Sequence, residues 1–221
     1  MKRSAIPFLA GILSFSLAVC QGQKAESSEI TTPSTETNIL ITYFTLGRNA
    51  EYEEDIDAGA SASLVLDGDQ LVGTTEYVAE RIQDYAGGDL HLIQVTEPYP
   101  ADFDAVVDQN HEEMNAGILP ELAASDLDLS QYDTVFIGYP VWWGDMPMAM
   151  YSFLDEADLS GKTAVPFVTS GGSGFSNTIS MIESMEARAA IQEGLSISGS
   201  SAVNAQEQVM EWLRGLGYIE A

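Results

Sequence analysis

Two adjacent tryptophans, Trp142 and Trp143, stand in a segment that begins at Pro140 and ends at Gly144. Consecutive residues of a loop do not readily point into the same core, and an indole ring left in water is costly. We therefore expect at least one of the two rings to stack on a flat aromatic ligand. The alternative is that both rings only fill the core.

A second segment, residues 169–175, has glycine at positions 171, 172 and 174. Glycine allows a ligand to approach the backbone closely and leaves backbone N–H groups available as donors. A flexible turn has the same composition, so this segment indicates a ligand only in combination with its neighbours in the fold.

The tripeptide Gly73-Thr74-Thr75 stands at the start of a predicted amphipathic helix, with Thr74 as the expected N-cap. A helix N-terminus offers N–H groups without intrahelical partners and the positive end of the helix dipole, and nearby hydroxyl groups add donors. Such a set can hold a phosphate group with little or no help from a cationic side chain. The same residues would also serve as an ordinary helix cap.

No group of residues has the pattern of a catalytic or metal-binding site. Cys20 is the only cysteine, so the rest of the chain can form no disulfide, thiolate nucleophile or cysteine metal site. His91 lies in a predicted edge strand. His111 lies in a predicted helix beside Glu112 and Glu113, a pattern that favours a solvated acidic face over metal ligation.

The elements that must position these segments alternate between buried strands and amphipathic helices. Apolar runs without polar alternation, typical of strands covered on both faces, predict strands at 38–44, 90–95, 134–139, 163–169 and, less well marked, 191–197. Helices are predicted at 75–86, 101–117, 147–157, 177–190 and 204–216. This order predicts an α/β fold, a single domain with a doubly wound five-stranded parallel sheet in the order 2-1-3-4-5. A ligand is then expected outside the carboxyl ends of the strands, where the order reverses.

Residues 46–72 are too many for an ordinary connection between a strand and a helix, which usually takes only a few residues. We interpret them as an insertion that is either functional or partly disordered. Within it, residues 64–72 are expected to form a small hairpin around Asp67-Gly68-Asp69.

The N-terminus has the pattern of an export signal. Lys2 and Arg3 precede an apolar run at 5–19 that is too short to span a membrane comfortably, and Cys20 follows directly. Residues 17–20 resemble a bacterial lipobox, although Val19 stands where Gly, Ala or Ser is usual. We predict a signal peptide at 1–19, lipid attachment at Cys20 and a flexible tether at 20–37. The alternative is a plain secretory signal.

The chain is strongly acidic. Its formal charge is −26, and removal of residues 1–19 deletes Lys2, Arg3 and no acidic residue, which gives −28. This charge argues against binding to nucleic acid, which requires clustered Lys and Arg, and against adhesion to anionic lipid by charge. It keeps the domain soluble and can steer a basic partner to it.

Over about residues 38–219 the sequence resembles the flavodoxin family, specifically the long-insert flavodoxin-like proteins of anaerobic bacteria. The runs Tyr-Pro-Val-Trp-Trp-Gly at 139–144 and Ser-Gly-Gly-Ser-Gly-Phe at 170–175 are its most specific part. Further matching stretches are 39–45, 73–79, 98–103, 133–143 and 159–163. The sequence departs from the family pattern at 45–48, where Thr-Leu-Gly-Arg replaces Ser-Arg-(Ser/Thr)-Gly, and at 73–75, where Gly-Thr-Thr replaces Gly-Asn-Thr.

The resemblance implies that the protein binds FMN. The FMN phosphate would be held by Thr45, Gly73, Thr74 and Thr75. One side of the isoalloxazine ring would be lined by Pro140, Val141, Trp142, Trp143 and Gly144, and the other side by Thr169, Ser170, Gly171, Gly172 and Gly174. The flavin would carry the redox chemistry, and the protein would tune it.

We interpret the chain as an FMN-binding electron-transfer protein at the extracytoplasmic membrane surface. Two alternatives remain. One is a flavodoxin fold without a cofactor that serves as a binding module, and the other is an NAD(P)H-dependent quinone reductase. The sequence does not identify the redox partner, and it neither indicates nor excludes a homodimer.

Overall fold

The computed structural model describes residues 38–52, 63–124 and 127–220. These residues belong to one structural unit, Glu36–Ala221. The predicted signal peptide, the lipid attachment at Cys20 and the tether lie outside the described residues. In the part of the chain that is described, no helix has the length and apolar character needed to cross a membrane.

A parallel sheet runs through the middle of the fold. Its strands are β1 (Ile39–Tyr43), β4 (Asp89–Leu92), β5 (Thr134–Pro140), β6 (Thr163–Ser170), β7 (Ala190–Ile191) and β8 (Leu195–Ser198). They lie in the order β4-β1-β5-β6-β7, with β8 also paired to β6. If β7 and β8 are taken as one broken strand, this is the order 2-1-3-4-5, and the predicted doubly wound α/β fold is confirmed.

Helices cover both faces of the sheet, as the strand order requires. One face packs against α2 (Thr74–Ala86) and α6 (Gln206–Leu216), and the other packs against α3 (Phe103–Ala116), α4 (Met148–Glu156) and α5 (Thr178–Met185). Successive side chains of β1 point to opposite faces of the sheet, so β1 contributes to the core on both faces. Ile41 contributes to the α2 side and Leu40 to the α3 side, and both are buried.

The fifth strand is broken at Gln192–Gly194, whereas the sequence predicted a single run at 191–197. The cause lies on the neighbouring strand. The carbonyl of Ala164 accepts a hydrogen bond from the Gln192 N–H, so the backbone of Ala164 faces the fifth strand. Backbone groups two residues apart in a strand face the same neighbour, so the backbone nitrogen of Pro166 also faces the fifth strand. Proline has no N–H to offer the fifth strand at that point. Pairing resumes where Phe167 meets Leu195.

Several helix ends differ from the prediction, and three of the differences bear on the fold. The N-cap of α2 is Gly73 and not Thr74, which is already helical. Helix α5 ends at Met185 instead of continuing to 190, because the Ala190 N–H donates to the carbonyl of Lys162 and the chain joins the sheet there. Asn204, predicted as the first residue of α6, ends a 3-10 helix, Gly199–Asn204, and α6 begins at Gln206.

The insertion contains ordered structure next to α2. A four-residue helix, α1 (Leu46–Asn49), follows β1 and was not expected. The predicted hairpin is confirmed: β2 (Leu64–Asp67) pairs antiparallel with β3 (Gln70–Gly73), and Gly68 in the turn has a positive φ of 62°. Because β3 ends at Gly73, the N-cap of α2, the hairpin is joined directly to the start of that helix.

Gly138 is a position where the central sheet tolerates no side chain. It pairs with Phe167 across β5 and β6, and a Cβ at position 138 would overlap the Phe167 ring. We predict that Gly138→Ala lowers the free energy of unfolding by about 1–3 kcal/mol through overpacking. Urea denaturation measures this change.

The control is Gly215→Ala, because a Cβ at Gly215 inside α6 would meet no atom within 4 Å. Alanine favours a helix interior by about 0.5–1 kcal/mol over glycine, so this variant is expected to be more stable than the parent. Equal destabilisation by both substitutions would contradict the overpacking explanation.

Candidate functional site

A cavity of about 670 Å³ opens at the carboxyl ends of β5, β6 and β8, beside the N-terminus of α2. This volume is within the usual range of small-molecule sites. Five segments surround it: the start of the hairpin, the first residue of α2, the end of β5 with its following loop, the end of β6 with its following loop, and the end of β8 with the 3-10 helix. The lining residues are Ser63, Leu64, Val65, Leu66, Thr74, Pro140, Val141, Trp142, Thr169, Ser170, Gly171, Ser198, Gly199, Ser200 and Val203.

The structure thus brings all three predicted loops together. Of the predicted site residues, Thr74, Pro140, Val141, Trp142, Thr169, Ser170 and Gly171 line the cavity. Thr45 packs against Gly73, and Thr75 Oγ1 lies within hydrogen-bond distance of Thr169 Oγ1, but Thr45, Gly73 and Thr75 do not line the cavity. Trp143, Gly144, Gly172 and Gly174 belong to the same two loops but do not line the cavity.

Two parts of the wall were missed by sequence reasoning. Residues 63–66 come from the insertion, for which no role was assigned. Ser198, Gly199, Ser200 and Val203 lie at the end of the fifth strand and in the 3-10 helix that follows it. The second part had a usable signal, because the carboxyl ends of all parallel strands meet at one edge of the sheet. The first part had none, since nothing in the residues of the hairpin says which side of the domain it covers.

Threonine hydroxyls dominate the end of the cavity nearest α2. The Oγ1 of Thr169 lies 2.9 Å from Thr74 Oγ1 and 2.9 Å from Thr75 Oγ1, and all three side chains are buried. Helix geometry leaves the N–H groups of Thr75 and Glu76 without intrahelical acceptors. The N–H of Thr74 is occupied, because it donates to the carbonyl of Ser63 at 2.8 Å.

Thr45 contributes a buried hydroxyl that has no hydrogen-bond partner among the described residues. Its side chain is fully buried, and it packs so closely on Gly73 that a Cβ there would overlap Thr45 Oγ1. A buried hydroxyl without a partner is costly, so native proteins retain one chiefly where a ligand or water completes it. The Thr45–Gly73 contact therefore indicates a place built for a hydrogen-bonding ligand.

The loop after β5 turns its two tryptophans to opposite sides. Trp142 and Asp145 exchange two backbone hydrogen bonds of 2.9 Å, and the two residues between them, Trp143 and Gly144, have positive φ. This is the pattern of a type I′ turn. Trp142 is buried against the core, whereas Trp143 is 47% exposed. The rings of Trp143 and His111 are in contact, with their centroids 4.9 Å apart.

The ring of Trp142 is held by a group of buried aromatic residues. It meets Phe44 and Tyr99 edge to face, with centroids 5.6 Å and 5.7 Å apart. The Tyr99 hydroxyl donates to Glu113 Oε2 at 3.0 Å, and Gln109 Nε2 donates to Glu113 Oε1 at 2.9 Å. Burial raises the pKa of the Glu113 carboxyl even though both hydrogen bonds lower it. Trp142 Nε1 is buried without a partner among the described residues.

The glycine-rich loop after β6 is ordered by its own serine. Ser170 Oγ accepts hydrogen bonds from the N–H groups of Gly172 and Gly174, each at 3.2 Å. Those two donors are therefore committed to the loop. Of the three glycines in this loop, Gly171 is the one whose backbone lines the cavity. A Cβ at Gly171 would meet no atom within 4 Å.

The site contains no positive side chain in its lining, since none of the lining residues is Lys, Arg or His. Outside the lining, Arg48 Nε forms an ion pair with Glu76 Oε1 at 2.6 Å, and Glu76 lies in the first turn of α2. Burial, followed by the charge of Glu76, raises the pKa of Tyr43 to about 12. An anion in this site would be held by hydroxyl groups, N–H groups and the helix dipole.

Within the described residues, no group of three or more His, Cys, Asp or Glu side chains is arranged to hold a metal ion. The histidines lie elsewhere. His91 lies on the edge strand β4, where burial lowers its pKa, and His111 lies on α3.

A sequence model of the flavodoxin family matches residues 69–216. No curated protein matches the chain. Among solved structures, a candidate flavoprotein from Bacteroides eggerthii is 27% identical, with a TM-score of 0.59 over 81% of this chain and 97% of that one. One from Bacteroides uniformis is 26% identical, with a TM-score of 0.61 over 80% and 98%. A Lactobacillus acidophilus flavoprotein in complex with FMN is 20% identical, with a TM-score of 0.52 over 76% and 97%, and shows the same fold.

The unpartnered hydroxyl of Thr45 makes a prediction about the protein without ligand. Thr45→Val removes a buried hydroxyl that has no partner, so we expect the free energy of unfolding to rise by about 1 kcal/mol. Denaturation of flavin-free protein measures it.

The control is Thr42→Val on β1. Thr42 is equally buried, but its hydroxyl donates to the Phe136 carbonyl at 2.8 Å. Loss of that hydrogen bond is expected to destabilise the protein by about 1 kcal/mol. If Thr45→Val were as destabilising as Thr42→Val, the Thr45 hydroxyl would have a partner in the unliganded protein.

Proposed function

The chain belongs to the flavodoxin family, and from that premise we propose that it binds FMN in the cavity beside α2 and transfers electrons to or from a partner. The observation that carries the proposal is the unpartnered hydroxyl of Thr45 against Gly73, at the N-terminus of α2. It is a hydrogen-bond donor without an acceptor, at the end of a helix that favours negative charge.

The residues present fit the phosphate of FMN. Thr74, Thr75 and Thr169 bring three buried hydroxyls together, and the buried hydroxyl of Thr45 packs against Gly73, the residue before Thr74. A phosphate offers several acceptor oxygens, so it can complete these donors without a cationic partner. The Lactobacillus acidophilus relative of the same fold was obtained with FMN bound.

The remaining walls fit a flat ring. Pro140, Val141 and Trp142 form an apolar wall after β5, and Thr169, Ser170 and Gly171 form a polar one after β6. An apolar wall excludes water, and backbone at Gly171 can approach a heterocycle closely. Bound FMN would supply one- and two-electron redox chemistry, and the acidic chain would disfavour its anionic reduced form.

Titration of flavin-free protein with FMN tests the proposal. Flavin fluorescence is expected to be quenched with one FMN bound per chain at micromolar protein. Gly73→Ala is expected to abolish binding, because a Cβ there would overlap Thr45 Oγ1 and displace that hydroxyl. Gly215→Ala, on the exposed face of α6, is the matched control and should bind like the parent.

Two results would count against the proposal. Absence of quenching by the folded parent protein would leave a flavodoxin fold without flavin. Unchanged binding by Gly73→Ala, with its fold retained in circular dichroism, would show that the phosphate lies elsewhere.

We further propose that the protein acts outside the cytoplasm, tethered to the membrane by a lipid on Cys20. The support is the order of Lys2 and Arg3, the apolar run at 5–19 and the cysteine that follows. A lipid at that position would leave the tether at 20–37 between the membrane and the flavin domain.

Expression in a bacterial host with a labelled fatty acid tests the anchor. The parent chain should carry label and sediment with membranes, and Cys20→Ser should do neither. Ser27→Ala in the tether is the control and should behave like the parent. An unlabelled parent found in the soluble exported fraction would indicate a plain secretory signal instead.

A further inference from the structure

A buried carboxylate lies beside the proposed phosphate cradle, which is formed by Thr45, Gly73, Thr74 and Thr75. Glu76 is the third residue of α2, and only 3% of its side chain is exposed. Its Oε2 accepts from the Gly73 N–H at 3.4 Å. Gly73 also packs against the unpartnered hydroxyl of Thr45. The carboxylate and the hydroxyl therefore contact the same residue.

This arrangement places a negative charge where an anion has to bind. An unpaired carboxylate at Glu76 would repel a phosphate at Thr45, and it would compete with that phosphate for the N–H groups at the helix start. No Lys, Arg or His lines the cavity to offset such repulsion. The charge of Glu76 must therefore be balanced from outside the cavity.

Arg48 supplies that balance. Its Nε donates to Glu76 Oε1 at 2.6 Å, and it is the only residue found in an ion pair with Glu76 in the described part of the chain. The hydrogen bond and the charge of Glu76 raise the pKa of Arg48. Arg48 lies on α1, three residues after Thr45, and 57% of its side chain is exposed. It is outside the cavity lining.

We propose that Arg48 is a positioning residue for the phosphate group of the ligand, acting through Glu76 and not by touching the phosphate. By neutralising Glu76, it allows a doubly charged phosphate to bind a cradle made only of hydroxyl and N–H groups. This inference rests on the proposed binding of FMN. It assigns to Arg48 the discrimination between a phosphorylated ligand and the same ligand without phosphate.

The test compares FMN with riboflavin, which has the same ring and lacks the phosphate. Binding of each is measured by fluorescence quenching with flavin-free protein at constant pH and ionic strength. Arg48→Gln is expected to weaken FMN binding by about tenfold, the effect of one uncompensated charge nearby, and to leave riboflavin binding unchanged. Arg48→Lys, which keeps the charge, should retain most of the FMN affinity.

A double-mutant cycle separates charge from packing. Glu76→Gln removes the negative charge and should keep or improve FMN binding. Arg48→Gln combined with Glu76→Gln should restore FMN binding toward the parent value, because no uncompensated carboxylate remains. Arg188→Gln controls for net charge, since Arg188 is 79% exposed and is paired with the exposed Asp158. It should leave the ratio of FMN to riboflavin affinity unchanged.

Four results would overturn the inference. Equal loss of FMN and riboflavin binding in Arg48→Gln would make Arg48 a structural residue. Unchanged FMN binding in that variant, or failure of the second substitution to restore it, would show that Glu76 is not the link. If the parent protein binds neither flavin, the proposed function itself fails, and this inference fails with it.

Discussion

The site depends on the backbone hydrogen bonds that continue past the ends of the central strands. After β1 ends at Tyr43, the N–H of Phe44 still donates to the Gly138 carbonyl at 2.9 Å. After β5 ends at Pro140, the N–H of Val141 donates to the Thr169 carbonyl at 2.8 Å. These bonds fix the loops that follow the three strands at one level, where the order of the sheet reverses. Without these hydrogen bonds, the loops after β1, β5 and β6 would not be held together at one edge of the sheet, and they would form no common site.

Thr169 links that register to α2. Its backbone belongs to β6, while its hydroxyl lies within hydrogen-bond distance of Thr74 and Thr75 at the start of the helix. The helix N-terminus is therefore anchored to the sheet by uncharged groups. In a chain with a formal charge of −26, an anion at this helix start would be held through the helix dipole and hydroxyl groups. Such binding requires that the one carboxylate in the first turn be balanced locally.

The sequence predicted the parts of the fold that are set by local patterns. Apolar runs located the strands, and the predicted helix ends at 86 and 216 are those of α2 and α6, because these patterns are contained in consecutive residues. The break in the fifth strand was missed because its cause, Pro166, lies on another strand. The N-cap of α2 was placed one residue late because β3 runs into the helix, which no cap pattern reveals.

The same reasoning explains which parts of the site were predicted. The loop residues that line the cavity were found because their types are unusual, as with Trp142 and Gly171. The hairpin wall and the residues after β8 are ordinary in type, and only the tertiary structure brings them to the cavity. Arg48 and Glu76 are likewise ordinary charged residues, separated by 28 positions and joined only by folding.

The apolar wall of the site is organised by the protein itself. Phe44, Tyr99 and Trp142 meet pairwise edge to face, and Glu113 fixes the Tyr99 hydroxyl from behind. A ring already held in this way loses little freedom when a ligand packs on it, so binding does not have to offset that ordering cost. The turn after β5 also orders this loop before any ligand binds. Trp143 adopts a left-handed φ of 51°, which costs about 1–3 kcal/mol of backbone strain. The two backbone hydrogen bonds between Trp142 and Asp145 hold Trp143 in this conformation. The exposed position of Trp143 is thus the structural consequence of burying Trp142.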